Sequence, residues 1–231
     1  MRVVVVVIAV VLSALAASCG GSSTGSGTPT PAPVSGVQDQ ALQALTRVTS
    51  GVVNVTGHAS QGSDAVDFTI EYRTDAGRFA YHAASTHNGA QSDVQVIGVP
   101  PQTWTLENGA WSALPAGLPV DSFRARRIWS LAPFPNARPI GMEQVAGIAT
   151  THYRYDGPAS LAFGELAGSL VASSDINFTG ELRHLTVNYW IANDGGFPVK
   201  ATYKASGDGD LQLTAELSHL NDTTVVVQAP R

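Results

Sequence analysis

The sequence predicts an α+β protein dominated by antiparallel strands: one large sheet, with a few helices available to cover one face. Three observations carry this reading. Apolar residues recur with a period of two through most of the chain, the mark of strands with one buried face. Reversals rich in Gly, Asn and Asp separate those runs at short intervals, as hairpins require. Helix-like stretches are few, and two of them fall in the middle of the chain, between strand runs that need a covering.

The chain begins with a different kind of segment. Residues 3–17 form an unbroken apolar or small run behind Met1 and Arg2. This run is short for a spanning helix and fits the core of a signal peptide. It leads into Ala16-Ala17-Ser18-Cys19-Gly20, and Cys19 is the lone cysteine of the protein. A lone cysteine makes no internal disulfide. The economical reading is a bacterial lipoprotein signal over residues 1–18, with Cys19 becoming the lipid-modified first residue, palmitate among its acyl groups. Ala16 stands where such signals ordinarily carry Leu or Val, with Leu15 one position earlier. The alternatives are secretion after cleavage near Ala17 with a free thiol, or an uncleaved anchor. Acyl chains on Cys19 would hold the protein to the outer face of the cytoplasmic membrane, at about 0.8 kcal/mol per buried CH₂. Residues 19–36, rich in Gly, Ser, Thr and Pro, read as a tether. The folded domain is expected over residues 37–231.

Residues 37–50 are predicted helical. Gln38, Gln40, Ala41, Leu42, Gln43, Ala44 and Leu45 are good helix formers, and Leu42, Leu45 and Val48 or Thr49 fall on one side. A frayed surface helix is the alternative. Strand signals follow in Val53 and Val55. Val66, Phe68, Ile70 and Tyr72 then alternate with Asp67, Thr69, Glu71 and Arg73. Asp75-Ala76-Gly77 reverses the chain into a strand with Phe79 and Tyr81 on one face. Asn88-Gly89 and Asn108-Gly109 mark hairpins, the second flanked by Trp104 and Trp111.

The centre holds Pro115, Pro119, Pro133, Pro135 and Pro139, a density that no long strand tolerates. Asp121 is placed to cap a short helix with Phe123, Ile128, Trp129 and Leu131, ended by Pro133. Residues 140–145 and 148–155 form a hairpin about Ala146-Gly147. Residues 159–171 are a second central helix, with Ala162, Leu166 and Leu170 at i, i+4 and i+8. A four-strand meander closes the chain. Its rows are Leu185, Val187, Tyr189 and Ile191, then Phe197, Val199, Ala201 and Tyr203, then Leu211, Leu213, Ala215 and Leu217, and a short strand over residues 224–228.

Composition excludes several kinds of function. Charged residues are 13% of the chain and the formal net charge is -5, which provides no basic surface for nucleic acid. His58, His82, His87, His152, His184 and His219 are scattered, with no HxH, HExxH or cysteine pair to hold a metal. The chain has no nucleophile elbow set between a strand and a helix, no P-loop and no dinucleotide fingerprint. Neither an enzyme nor a cofactor is expected.

Four stretches together resemble a known group: VIGVPPQTWTLENGAWSALP at 96–115, GMEQVAGIATTHYRYD at 141–156, VNYWIANDGGFPVKATY at 187–203 and LSHLNDTTVVVQAP at 217–230. In order and spacing they are similar to the LppX/LprAFG lipoproteins, within the LolA/LolB-like superfamily. The resemblance covers nearly all of the chain after the tether. It implies a half-open antiparallel β-barrel wrapped around a few helices, with an apolar cavity in which some members bind or carry acylated lipids or lipoproteins. It brings no catalytic residues.

The expected function is therefore non-covalent binding, with transfer, of an acyl-chain lipid or lipoprotein ligand. The alternative is a structural or sensory lipoprotein that binds an envelope protein partner and keeps a filled core. Candidate cavity residues are Phe68, Ile70, Phe79, Trp104, Leu106, Ile128, Leu166, Leu170, Val187 and Tyr189, although cavity walls and cores use the same residue types. Trp104 and Trp111 are read either as a rim or wall, or as ordinary cross-strand packing. Arg124, Arg126 and Arg127 are read either as contacts to an anionic head group or as a solvated helix face. A continuous apolar cavity of about 300 Å³ or more favours the ligand, and a filled core favours the partner.

Overall fold

A strand that is apolar at every second position buries one side, and a row of such strands makes a sheet with one dry face. The computed structural model describes residues 34–114, 137–159 and 181–231, and shows this arrangement. A helix, α1 (Val34–Leu45), comes first. Eleven strands follow: β1 (Ser50–Gln61), β2 (Asp64–Asp75), β3 (Arg78–His87), β4 (Ala90–Val99), β5 (Gln102–Glu107), β6 (Ala110–Ala113), β7 (Arg138–Val145), β8 (Ile148–Pro158), β9 (Leu182–Ala192), β10 (Pro198–Gly207) and β11 (Asp210–Ser218). They form one sheet in the order β6-β5-β4-β3-β2-β1-β11-β10-β9-β8-β7. Every neighbouring pair is antiparallel. The sheet is open, with β6 and β7 at its edges. The two central helices, and the wrapping of the sheet around them, fall on residues outside those described.

The order places β1 at the centre, between β2 and β11. Its core-face residues Val53, Val55 and Ala59 stand opposite Tyr72, Ile70 and Val66 on β2, and opposite Leu217, Ala215 and Leu211 on β11. All of these are buried. Beyond β11 the same face continues through Ala201 and Tyr203 on β10 to Leu185, Val187 and Tyr189 on β9. Four reversals, Ala76-Gly77, Asn88-Gly89, Asn108-Gly109 and Ala146-Gly147, have both central residues at positive φ, the two-residue turn that matches strand twist.

Two phenylalanines lie across glycines. Phe68 stands opposite Gly57, and Phe79 opposite Gly98. A Cβ at either glycine would run into the opposing ring. Large rings thus fit a continuous sheet because the neighbouring strand offers no side chain there.

Two expectations need correction. The helix ends at Leu45, not near residue 50. The amides of Thr46, Arg47 and Val48 bond three residues back, to Gln43, Ala44 and Leu45, at 3.1, 3.1 and 3.2 Å. This tight turn unwinds the helix as the β-branched Thr46, Val48 and Thr49 arrive. The alternating Val225 and Val227 form no strand, although both are buried. Both sides of β11 are taken, by β1 and β10, so the meander has no free edge for a following strand. The tail is instead tied down locally: Ser50 Oγ donates to the Asp222 carbonyl at 3.0 Å, and the Val227 amide to Asp75 Oδ2 at 3.3 Å.

Candidate functional site

α1 packs on the core face through its last turns, where Ala41, Ala44 and Leu45 are buried. It leaves a cleft of about 380 Å³ against the ends of β1, β2, β3 and β11. Leu45, Val48, Val53, Tyr72, Phe79 and Leu217 line it, with Thr46, Thr49, Thr74 and Arg78 among the more polar residues. Tyr72 and Phe79 stack there, with ring centroids 6.1 Å apart and planes 14° from parallel. The Arg78 guanidinium is already committed to Asp75, Nη2 to Oδ2 at 2.6 Å. The cleft therefore offers apolar contact with a neutralised polar margin, at a volume in the lower range of small-molecule sites, which begins at about 300 Å³.

A second feature of the core face is its phenols. The protein has six tyrosines. Register puts Tyr72 opposite Tyr81, Tyr153 opposite Tyr189, and both Tyr155 and Tyr203 opposite Val187. All six thus share the core face. Tyr189 and Tyr203 are buried and hydrogen-bond through their hydroxyls at 2.9 Å, rings edge to face. Burial pushes both phenols up, Tyr189 well above its ordinary range. Tyr155 donates to the Pro158 carbonyl at 2.8 Å. Desolvation alone raises the half-buried Tyr153.

The outer face is polar and paired. Glu143 on β7 accepts from Trp190 Nε1 at 2.9 Å and pairs with His152 Nδ1 at 2.8 Å, and these hydrogen bonds hold its carboxyl below the usual range. His152 stacks on Trp190 at 4.4 Å between centroids. His58 pairs with Asp67, His82 with Asp93, His184 with Asp156 and His219 with Asp222. Among the described residues no three His, Cys, Asp or Glu gather as a metal site, and no helix is long and apolar enough to cross a membrane.

Of the candidate cavity residues, Phe68, Ile70, Phe79, Val187 and Tyr189 lie buried on the core face, and Phe79 also lines the cleft. Trp104 and Leu106 are a correction. Trp104 stands opposite Ile97, and Leu106 opposite Gln95, whereas Thr105 and Thr103 stand opposite the core-face Val96 and Gly98. Pairing to β4 therefore turns the apolar row of β5 to the outer face. Ile128, Leu166, Leu170, Arg124, Arg126, Arg127 and Cys19 lie outside the described residues. Sequence reading missed Leu45, Val48 and Leu217 as cleft residues. It also missed the shared face of the tyrosines, which their parity in the strands would have shown.

No protein-family model matches this chain, and no curated protein matches it in sequence. Solved structures do. LprF from Mycobacterium bovis is 14% identical, with a TM-score of 0.51 over 88% of this chain and 99% of that one. The lipoprotein LppX of Mycobacterium tuberculosis is 21% identical over 86% of this chain and 100% of its own, with a TM-score of 0.46. A LolA superfamily protein from Nitrosomonas europaea is 9% identical over 84% of this chain and 94% of its own, with a TM-score of 0.25. The likeness is one of fold, carried by LprF: the sheet has an LprF-like fold.

Proposed function

We propose that this LprF-like sheet binds an acyl-chain ligand non-covalently on its core face and releases it again, which amounts to transfer without catalysis. The cleft of about 380 Å³ between α1 and β1–β3 carries the reading. Its aliphatic and aromatic residues, Leu45, Val48, Val53, Tyr72, Phe79 and Leu217, are joined by threonines, and its arginine is already paired. Alkyl chains gain roughly 25 cal/mol per Å² of surface taken from water. The fold likeness to LprF and the apolar leader ending in Cys19 support the same reading. Lipidated Cys19 would place the domain at the outer face of the cytoplasmic membrane, near a source of acyl chains.

One observation favours a second reading, a lipoprotein that binds an envelope protein. On the edge strand β7, Met142 is 80% and Ile140 56% exposed. Exposed apolar side chains on a sheet edge suit strand addition by a partner.

Lipid extraction and native mass spectrometry of the chain from residue 19 onward separate the two, together with titration of a fluorescent fatty-acyl probe. Co-purified lipid and saturable uptake are expected, with uptake weakened when Val48→Trp fills the cleft. No extractable lipid and no saturable uptake would transfer the assignment to the partner-binding reading.

A further inference from the structure

We infer that the cleft beside α1 admits one alkyl chain and not two, so that its ligand is a single-chain lipid, a fatty acid or a lysolipid, in preference to a diacyl one. The inference rests on the acyl-binding reading above and names the class of ligand.

Volume sets the first limit. A dry cavity of about 150 Å³ holds benzene, a scale of about 25 Å³ per heavy atom. On that scale the cleft of about 380 Å³ takes about 15 heavy atoms, one chain of about 14–16 carbons.

Hydrogen bonds fix that volume by tying the walls together. The stretch between α1 and β1 forms one wall, and its Thr49 carbonyl accepts from the Ala76 amide in the β2–β3 turn at 2.8 Å. The Thr49 amide donates to Asn221 Oδ1 at 2.8 Å, and the Asn221 amide donates to the Ser50 carbonyl at 2.8 Å. These bonds join the wall to the turn opposite it and to the segment that follows β11. Beneath them Val53, Tyr72, Phe79 and Leu217 are buried members of the central cluster. Room for a second chain requires those bonds to break or that packing to move.

The polar margin leaves the choice to the chain. The hydroxyls of Thr46, Thr49 and Thr74 already donate, to the Gln43 carbonyl, to Asn221 Oδ1 and to the Arg78 carbonyl. Arg78 already holds Asp75. Selection therefore falls on the number and length of alkyl chains, with the head group left toward water. A diacyl lipid seated here would keep its second chain outside, and every methylene of that chain would lose the shelter it has in a bilayer. A single-chain lipid incurs no such loss.

The test uses the chain from residue 19 onward. In one arm, straight-chain fatty acids of increasing length displace a fluorescent fatty-acyl probe. Affinity is expected to rise about fourfold per added CH₂ and to level off at about 14–16 carbons. Val48→Trp should move the plateau to shorter chains, and Met142→Ser, on the β7 edge and not among the cleft residues, should leave it in place. In the other arm the protein meets vesicles of diacyl phosphatidylcholine doped with lysophosphatidylcholine, and native mass spectrometry identifies what it retains. Lysolipid is expected to exceed diacyl lipid roughly tenfold per mole offered. Binding in the first arm alone assigns a free fatty acid, and lysolipid retained in the second assigns a lysolipid. Diacyl lipid retained as readily as lysolipid overturns the inference and leaves the acyl-binding reading standing. Affinity that climbs unbroken beyond about 18 carbons does the same, and so does a plateau that a folded Val48→Trp protein shares with wild type. If Val48→Trp does not fold, the wild-type plateau and the vesicle arm decide. Displacement by no acid and retention of no lipid sink the acyl-binding reading and the inference with it.

Discussion

Gly57→Ala adds one methyl group where the ring of Phe68 lies. The new Cβ would fall 2.6 and 2.7 Å from Cε1 and Cε2 of that ring, and closer still to Cζ. Phe68 is 5% exposed and belongs to the central apolar cluster, so the ring moves only by displacing packed neighbours. Two effects compete. Alanine is better than glycine in a strand by roughly 0.5–1 kcal/mol. Overpacking a tight core costs about 1–3 kcal/mol. The steric effect wins, and a net loss of about 0.5–2 kcal/mol is expected. Gly141→Ala is the matched control: it lies on β7, in open space and without positive φ. There the methyl group should be neutral or stabilise by about 0.4–1 kcal/mol. Urea unfolding with linear extrapolation resolves the difference. In a Phe68→Leu background the Gly57→Ala penalty should shrink, with a coupling of at least about 0.5 kcal/mol. A Gly57→Ala protein as stable as wild type would refute the seating of the ring on the glycine.

Other perturbations test separate parts of the molecule. Gly195 has φ +79, so Gly195→Val should lower stability by at least roughly 1 kcal/mol in a thermal melt; an unchanged melt would contradict the turn geometry. Asp222 accepts from the amide and hydroxyl of Thr224, which, with His219, hold its carboxyl at about 2. Its contribution is complete above the unfolded value near 3.9 and is lost as pH falls from there toward about 2. Asp222→Asn should therefore flatten that part of the acid limb, and an identical acid profile would count against these hydrogen bonds. Cys19→Ala should move the protein from the membrane fraction to the soluble one, and membrane retention with no lipid mass on the N-terminal peptide would remove the anchor.

How much of this was legible depended on what each signal encodes. Val66, Phe68, Ile70 and Tyr72 could be read as one face because parity is local, and their polar alternates Asp67, Thr69 and Arg73 are exposed. Asn88-Gly89 and Asn108-Gly109 could be read as turns because positive φ is a property of the residues themselves. β5 was misread because parity shows two faces without saying which is inward. Register with β4 decided that, and it put Thr103 and Thr105 on the core face. Residues 224–228 were misread for a related reason: alternation proposes a strand, but only an unoccupied neighbour admits one. The cleft was least legible, since it exists where the end of α1 meets β1, β2 and β3 and, from the far end of the chain, β11.

The pairing of β1 with β11 also sets a condition on how the chain folds. The β1–β6 half can form from successive hairpins, and the β7–β11 half from strands that are neighbours in sequence. Their junction joins the first strand of the sheet to the last, so it pays the largest loop-closure entropy in the molecule. Until residue 218 is available, β1 and β10 each present an open edge flanked by Val55, Ala201 and Tyr203, and an unfinished chain is sticky at its centre instead of at its rim. The last strand, β11, is therefore the latch that closes the sheet.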